Sequence, residues 1–207
     1  MDIILKKLVL KFRMFIIGNR RNWKFRMEKT FAKVNVKFVD DSIILEKHDR
    51  HIKICNKVLL ILKKNMQSGK ENCEAGGVLI GRENISNSNL IVEYVTEPMK
   101  GDRRSRNRYY REDKGHIEFY KKIYDKNGGV YAYVGEWHTH PEAIPQYSYL
   151  DLKNWKTIGK EAGKGNIHLH IIVGYDAIRI WEFSFYDKKV EELATVFWSE
   201  VILDEQD

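Results

Sequence analysis

The chain has 207 residues, 43% of them hydrophobic, so it can bury one sizeable core but is too short for two full domains. Its formal net charge of +7 indicates a basic surface that attracts acidic partners, without naming nucleic acid as one. Neither Cys55 nor Cys73 belongs to a Cys-x-x-Cys pair, which argues against a disulfide framework or a thiolate zinc cluster. We therefore expect a reducing, cytoplasmic location, with neither a membrane span nor a signal peptide.

Residues 1–30 form a basic segment with nine Lys or Arg and two acidic residues. Three interpretations stay open: a mobile N-terminal extension, an edge strand, or a stretch upstream of a functional start at Met27. The expected division is therefore a basic segment at 1–30 and one folded domain at 31–207.

The first half of that domain reads as strands around one helix. Alternating apolar residues predict a strand or hairpin over 34–45. Asp49 is a candidate N-cap, and the apolar spacing after it predicts an amphipathic helix to about Lys64. Two strands follow, EAGGVLIG (Glu74–Gly81) and NLIVEYVTEP (Asn89–Pro98). The residues that suggest the helix are Ile52, Cys55, Leu59 and Leu62.

The second half adds helices to further strands. The predicted elements, in order, are a basic loop (100–113), a helix (117–127), a strand (130–137), a helix (152–158), two strands (167–174 and 177–185) and a final helix (190–201). The final helix rests on Val190, Leu193, Phe197 and Val201, whose apolar stripe can serve packing or a homodimer. The sum is an α/β protein with three or four helices.

The segment GEWHTHPEAIPQYSYLDLKNW (Gly135–Trp155) has the ligand types of a metal site. His138 and His140 end a predicted strand, where residues i and i+2 point to the same side. Asp151 opens the next helix, where a short loop can return it to the strand end. Two imidazoles and one carboxylate are the ligands of a catalytic zinc site, although non-haem iron also uses this set.

Ser148 precedes Asp151 by three residues, the spacing of a capping box in which Ser148 is the N-cap. The positive end of a helix favours the ionised carboxylate that a metal requires. The Ser148 hydroxyl can also donate a hydrogen bond to the oxyanion formed when a carbonyl is attacked. The two roles are compatible.

Hydrolysis needs a further group that takes a proton from water and delivers it to the leaving amine. We expect Glu136 to alternate away from the two histidines, and Glu142 lies beyond Pro141. Glu74 is the better candidate, although spacing alone does not find it.

Together these residues resemble the JAMM motif of the JAB/MPN zinc metalloproteases. The resemblance includes Glu-x-Gly-Gly-x-Leu-x-Gly at Glu74–Gly81 and Gly-x-Trp-His-Thr-His-Pro at Gly135–Pro141, followed by Ser148 and Asp151. It covers roughly residues 45–185. It implies a JAB/MPN (cytidine-deaminase-like) domain, a central mixed β-sheet flanked by helices.

The resemblance also implies an activity and the role of each residue. His138, His140 and Asp151 would hold Zn²⁺, Glu74 would be the acid/base, and Ser148 would support the tetrahedral intermediate. The implied enzyme is a deubiquitinase-like isopeptidase that cuts after the C-terminal residue of a ubiquitin-like or conjugated protein. The finer sequence is similar to prokaryotic JAMM peptidases of antiphage (CBASS-type) systems, in which the conjugated partner is a nucleotidyltransferase that makes cyclic-oligonucleotide signals.

Other features have more ordinary interpretations. His168 and His170 form a second His-x-His without a downstream Ser-x-x-Asp, so we predict a structural pair. Cys73 has no adjacent histidine to lower its pKa, which argues against a nucleophile. The five arginines of the basic loop can contact the substrate or an acidic partner, be solvated, or bind nucleic acid, and the first is favoured. They are Arg103, Arg104, Arg106, Arg108 and Arg111.

Two other functions compete with the isopeptidase. One is a binding module, either a non-catalytic MPN-type scaffold or a basic nucleic-acid partner. The other is a JAMM hydrolase of sulfur-carrier or small-molecule adducts.

Overall fold

The computed structural model describes residues 34–162 and 167–203. The predicted segment at 1–30 lies outside the described residues. The helices are α1 (Asn56–Lys64), α2 (Gly115–Lys126) and α3 (Tyr149–Ala162). The strands are β1 (Asn35–Val39), β2 (Ser42–Lys47), β3 (Arg50–Ile54), β4 (Gly76–Glu83), β5 (Leu90–Val95), β6 (Arg103–Ser105), β7 (Arg108–Tyr110), β8 (Ala132–Thr139), β9 (Ile167–Val173), β10 (Ala177–Ser184) and β11 (Lys189–Phe197).

Nine of these strands form one sheet in the order β1-β2-β3-β5-β4-β8-β9-β10-β11. The pairs β3–β5 and β8–β9 are parallel and the other neighbours are antiparallel. The predicted α/β architecture with a mixed sheet is therefore confirmed. No helix among the described residues is long and apolar enough to cross a membrane.

Helices cover both faces of the sheet. Successive strand residues point to opposite faces, and both faces carry apolar side chains. One face packs against the buried side chains Val58, Leu59 and Leu62 of α1. The opposite face packs against α2 near the middle of the sheet and against α3 farther along. Trp155 of α3 lies there among Ile172, Trp181 and Phe183.

Ion pairs join β2 and β3, near one end of the sheet, to β10 and β11 at the other end. Lys47, at the end of β2, lies 2.9 Å from the Glu182 carboxylate of β10 and 3.0 Å from that of Glu191 of β11. Arg50 at the start of β3 also pairs with Glu182, which is only 5% exposed. The sheet therefore curves until β2 and β3 come into direct contact with β10 and β11.

Two helix predictions were wrong in whole or in part. Arg50–Ile54 is strand β3, and only Asn56–Lys64 is helical, with Cys55 rather than Asp49 at the N-cap. Ile52 and Ile54 are both fully buried, which is the period of a strand. The predicted final helix is strand β11 followed by one 3-10 turn, because β11 pairs along the whole of β10.

The basic loop also differs from its prediction, because it contains a short hairpin. Strands β6 and β7 pair with each other in a separate two-stranded sheet. The remaining predicted strands and helices are confirmed, with small shifts at their ends. Cys55 and Cys73 are both free thiols, as expected.

Gly135 determines how closely β8 approaches β9. Its φ is +154°, and a Cβ built there would lie 1.8 Å from the Leu169 carbonyl oxygen. The nearest atoms all belong to the Leu169 backbone, so no side-chain rotation can relieve the clash. Only glycine allows the parallel pairing that continues from Gly135 to Thr139.

We expect Gly135→Ala to lower the free energy of unfolding by at least about 2 kcal/mol, because the two strands must separate to admit the methyl group. Gly128→Ala is the control, since a Cβ there meets nothing within 4 Å and costs only the left-handed backbone, about 1 kcal/mol. Urea unfolding measures both. Equal losses would contradict the role given to Gly135.

Candidate metal centre

The two histidines of the His-x-His segment converge at the end of β8. The Nε2 atoms of His138 and His140 lie 3.0 Å apart, so the two ring nitrogens face the same point. Thr139 between them points to the other face and is fully buried. Strand alternation therefore places both imidazoles on one side, as the sequence predicts.

Asp151 reaches the same point from the start of α3. Its Oδ1 lies 3.3 Å from His138 Nε2, and its Oδ2 lies 3.5 Å from His140 Nε2. Ser148 holds it there: the Ser148 amide donates to Asp151 Oδ2 at 2.6 Å, and the Asp151 amide donates to Ser148 Oγ at 3.2 Å. These reciprocal bonds are the predicted capping box, although here the acidic member is Asp rather than Glu.

Electrostatics in this cluster favour an ionised carboxylate. Burial opposes charge on His138, but the attraction and hydrogen bond of Asp151 outweigh it and raise the pKa of His138 to about 9. Burial likewise opposes charge on Asp151, yet His138, His140 and Ser148 hold its pKa well below the usual range. The carboxylate is therefore ready to bind a cation without first losing a proton.

Glu74 arrives from the neighbouring strand. The pairing of β4 with β8 places Gly76 opposite His138, and the Thr139 amide donates to the Ala75 carbonyl at 2.8 Å. Glu74, only 6% exposed, directly precedes Ala75, and its Oε1 lies 3.9 Å from His140 Nε2. The structure thus brings Glu74, His138 and His140 together, with suitable donor atoms within 4.8 Å of one another.

The donor atoms fit a divalent ion such as zinc. Two imidazole nitrogens and one carboxylate are zinc ligands, and bonds of about 2.0–2.1 Å in a tetrahedron place donor atoms about 3.3–3.4 Å apart. The separations between His138, His140 and Asp151 are 3.0, 3.3 and 3.5 Å. Glu74 lies farther from His140, at 3.9 Å, so the tighter set contains Asp151 and leaves Glu74 beside it.

The two rejected carboxylates behave differently from each other. Glu136 does not alternate away from the histidines as expected: it lies two residues before His138, and its charge helps to raise the pKa of His138. Arg111 pairs with it, which occupies the carboxylate. Glu142 lies 3.9 Å from His140 Nδ1, on the other nitrogen of the ring, and accepts a hydrogen bond from the Gln146 amide.

The second His-x-His is buried under α3, where His170 stacks on Trp155 with ring centroids 4.3 Å apart. His168 meets Tyr133 edge-on. Among the described residues, neither belongs to a group of three or more side chains able to hold a metal. The structural interpretation therefore fits, and Trp137 and Trp155 are buried core residues.

Sequence reasoning did not single out Gln67. This fully buried side chain accepts a hydrogen bond from the Thr139 hydroxyl at 2.8 Å, between the two histidines. Gln67 lies 72 residues from Thr139 in the chain, outside every motif. Only the folded arrangement reveals the contact.

The chain is similar to one protein family and to three curated proteins. The sequence model that describes prokaryotic homologues of the JAB domain matches residues 63–184. Three curated relatives carry the name CD-NTase/cGAS isopeptidase. The Escherichia coli protein (strain TW11681) is 30% identical over 56% of this chain and 74% of its own. The Pseudomonas aeruginosa (strain BWHPSA011 / Pa011) and Vibrio cholerae (strain N16961) proteins are 31% and 34% identical, over 57% and 60% of this chain and 73% and 72% of their own.

We expect the purified chain to bind about one zinc ion, and Asp151→Ala to abolish binding while Glu74→Gln retains it. Asp151 completes the tighter donor set, whereas Glu74 lies outside it. Elemental analysis after dialysis measures the zinc per chain. Loss of zinc in Glu74→Gln with retention in Asp151→Ala would reverse the two roles.

We also expect the free energy of unfolding to fall as the pH is lowered from about 7 to 5. Unfolded histidine has a pKa near 6.5, whereas burial holds the pKa of His168 below that value, despite partial opposition from Glu136. The unfolded chain therefore binds more protons in this window, and stability present above about pH 6.5 is lost on acidification.

His168→Phe isolates that contribution, because phenylalanine keeps the ring contact with Tyr133 and cannot be protonated. Its stability should depend less steeply on pH than that of the unsubstituted chain, as measured by urea unfolding between pH 5 and 8. Identical slopes would show that His168 does not titrate on unfolding.

Proposed function

The chain belongs to the family of prokaryotic homologues of the JAB domain, and from this premise we propose that it is a zinc-dependent, JAMM-type isopeptidase. One observation carries the proposal: His138, His140 and Asp151 converge within 3.5 Å of one another, with Glu74 beside them. The bond cut would be the one after the C-terminal residue of a conjugated protein.

The three relatives named CD-NTase/cGAS isopeptidase support a substrate class. We propose that the substrate is a CD-NTase, a nucleotidyltransferase, joined through its C-terminal carboxyl group to an amine of another protein. The setting would be cytoplasmic antiphage defence. A ubiquitin-like protein joined in the same way is the broader form of this substrate.

Three residues of this chain would hold the metal: His138 and His140 through Nε2, and Asp151 through its carboxylate. A zinc ion bound there supplies Lewis-acid chemistry, which makes water acidic enough to attack near neutral pH and polarises the substrate carbonyl. The bonds from Ser148 to Asp151 fix the carboxylate before the ion arrives.

Glu74 would move the proton. As water attacks the carbonyl carbon, the Glu74 carboxylate accepts one of its protons and then delivers it to the departing amine nitrogen. The carbon–nitrogen bond breaks, and the products are a free carboxylate on one protein and an amine on the other. Burial of Glu74 beside His140 keeps the group within reach of the reacting atoms.

Ser148 would stabilise the oxyanion. Its hydroxyl oxygen accepts the Asp151 amide hydrogen, and its hydroxyl hydrogen, which bonds to the Asp151 carboxylate, would turn to the oxyanion. The side chain is exposed at the start of α3, where a substrate carbonyl can approach. A donor aimed at a developing oxyanion contributes about 10²–10³ in kcat in other acyl-transfer enzymes.

We expect the chain to cleave a CD-NTase whose C-terminal carboxyl group is linked to the lysine side chain of a reporter peptide. Glu74→Gln should lower kcat by about 10³, because the amide cannot carry the proton. A chelator should abolish cleavage, and zinc should restore it. Release of the peptide, followed by fluorescence polarisation, measures both.

Glu142→Gln is the matched control, since this carboxylate also lies 3.9 Å from His140, but on the far nitrogen. Its activity should stay within about threefold of that of the unsubstituted chain. Cleavage that survives both the chelator and Glu74→Gln would exclude this mechanism. A chain that binds the conjugate without cutting it would be a scaffold instead.

A further inference from the structure

The segment that carries Glu74 has little regular structure of its own. Between the end of α1 at Lys64 and the start of β4 at Gly76, no helix or strand is present. Bonds to β8 reach back only as far as Ala75, yet Glu74 must keep its place beside His140. Another part of the molecule therefore has to hold it.

The hairpin formed by β6, β7 and their turn (103–110), called here the arginine hairpin, contacts that segment closely. The Glu74 amide donates to the Ser105 carbonyl at 2.8 Å. The Arg104 guanidinium also donates to this segment. Its Nε donates to the Glu74 carbonyl at 2.8 Å, and its Nη2 donates to the Cys73 carbonyl at 3.2 Å. One guanidinium group thus binds the carbonyls of two consecutive residues.

A second arginine fixes the segment farther upstream. Arg106 Nη1 donates to the carbonyls of Gly69 and Lys70, at 2.9 and 2.6 Å. The Arg106 carbonyl accepts a hydrogen bond from Gln67 Nε2 at 2.9 Å. The hairpin and the segment are therefore joined in both directions, by side chains and by backbone.

Gln67 connects these contacts to the metal centre. Its Nε2 also donates to the Asn72 carbonyl at 3.1 Å, while its Oε1 accepts from the Thr139 hydroxyl. Thr139 Oγ1 in turn accepts from the Ala75 amide at 3.0 Å. The side-chain amide of Gln67 is thus fully used inside the protein, which restricts how the segment can sit against β8.

We propose that the arginine hairpin is the positioning element for Glu74 and that Arg104 is its principal positioning residue. The inference rests on the proposed role of Glu74 as the acid/base. A displacement of about 1 Å in a reacting group can cost about 10² in rate, so holding two peptide units at Glu74 has a direct catalytic consequence. Arg104 acts through Glu74 and does not itself touch the reacting atoms.

This assignment gives the loop a role inside the molecule, whereas its favoured prediction is contact with the substrate or an acidic partner. Arg103 pairs with Glu112 at 2.7 Å, and Arg111 pairs with Glu136. Arg104 and Arg106 donate to backbone carbonyls, as described above. Three arginines of the hairpin, Arg103, Arg104 and Arg106, are therefore bonded within the molecule, as is Arg111 just after it.

The experiment compares Arg104→Gln with Arg103→Gln, which removes the same charge from the adjacent position but touches no part of the Glu74 segment. We expect Arg104→Gln to lower kcat about 30-fold with KM within about twofold, and Arg103→Gln to change neither by more than about twofold. Arg104→Lys should restore less than a tenth of the lost kcat, because one ammonium cannot serve both carbonyls in the fork geometry.

Hydrogen exchange of the metal-free chain provides a readout independent of activity. In Arg104→Gln the Glu74 amide should exchange about tenfold faster, whereas Arg103→Gln should leave it unchanged. A raised KM with unchanged kcat, or full rescue by lysine, would make Arg104 a substrate contact and overturn the proposal. Unchanged exchange would overturn it as well.

The two proposals fail separately. If Glu74→Gln keeps full activity, or the unsubstituted chain shows no turnover, the proposed function is wrong, and exchange at Glu74 still decides whether Arg104 anchors the segment. If Glu74→Gln is inactive but Arg104→Gln is normal in kcat and exchange, only the positioning role is wrong.

Discussion

The antiparallel pairing of β4 with β8 determines where the side chains of the candidate centre lie. It sets Gly76 opposite His138 and continues through the bonds between Ala75 and Thr139. A shift of one residue would send both imidazoles to the opposite face, because side-chain direction has a period of two. Glu74 meets the histidines only in the observed register, and Asp151 can complete the donor set only on that face.

The local parts of this arrangement could be predicted from the sequence. His-x-His on a strand and Ser-x-x-Asp at a helix start are short patterns whose geometry follows from alternation and capping. Glu74 is different, because 64 residues separate it from His138, and only the resemblance to a known motif identified it. Gln67 and Arg104 belong to no motif, so their contacts emerge only from the folded chain.

The errors in secondary structure have a common cause. Short apolar runs fit either period: Val190, Leu193 and Phe197 fit a helix, yet the segment is a strand because β10 offers a partner along its length. Ile52 and Ile54 likewise fall within the predicted helix, although both belong to strand β3 and are buried in the larger core. Pairing between distant strands outweighed local spacing, as it commonly does for β-structure.

The net charge of the whole chain does not describe the charge of the folded domain. The net charge of +7 suggested a basic surface, but residues 34–207 contain 26 Lys or Arg and 27 Asp or Glu. The excess lies in the first 33 residues, which hold ten basic and two acidic side chains. The domain that carries the candidate centre is close to neutral, so the net charge of the chain comes from its first 33 residues rather than from that domain.

Because the sheet curves back on itself, the bounds of the family match differ from the bounds of the folded unit. The family match ends at residue 184, but Glu191 of β11 reaches Lys47 of β2, and both strands contribute to the larger core. A fragment trimmed to 63–184 would therefore expose the larger core on two sides, where β1–β3 and β11 have been removed. The segment that matches the family is therefore shorter than the folded unit, and the strands on either side of it complete the wall of its core.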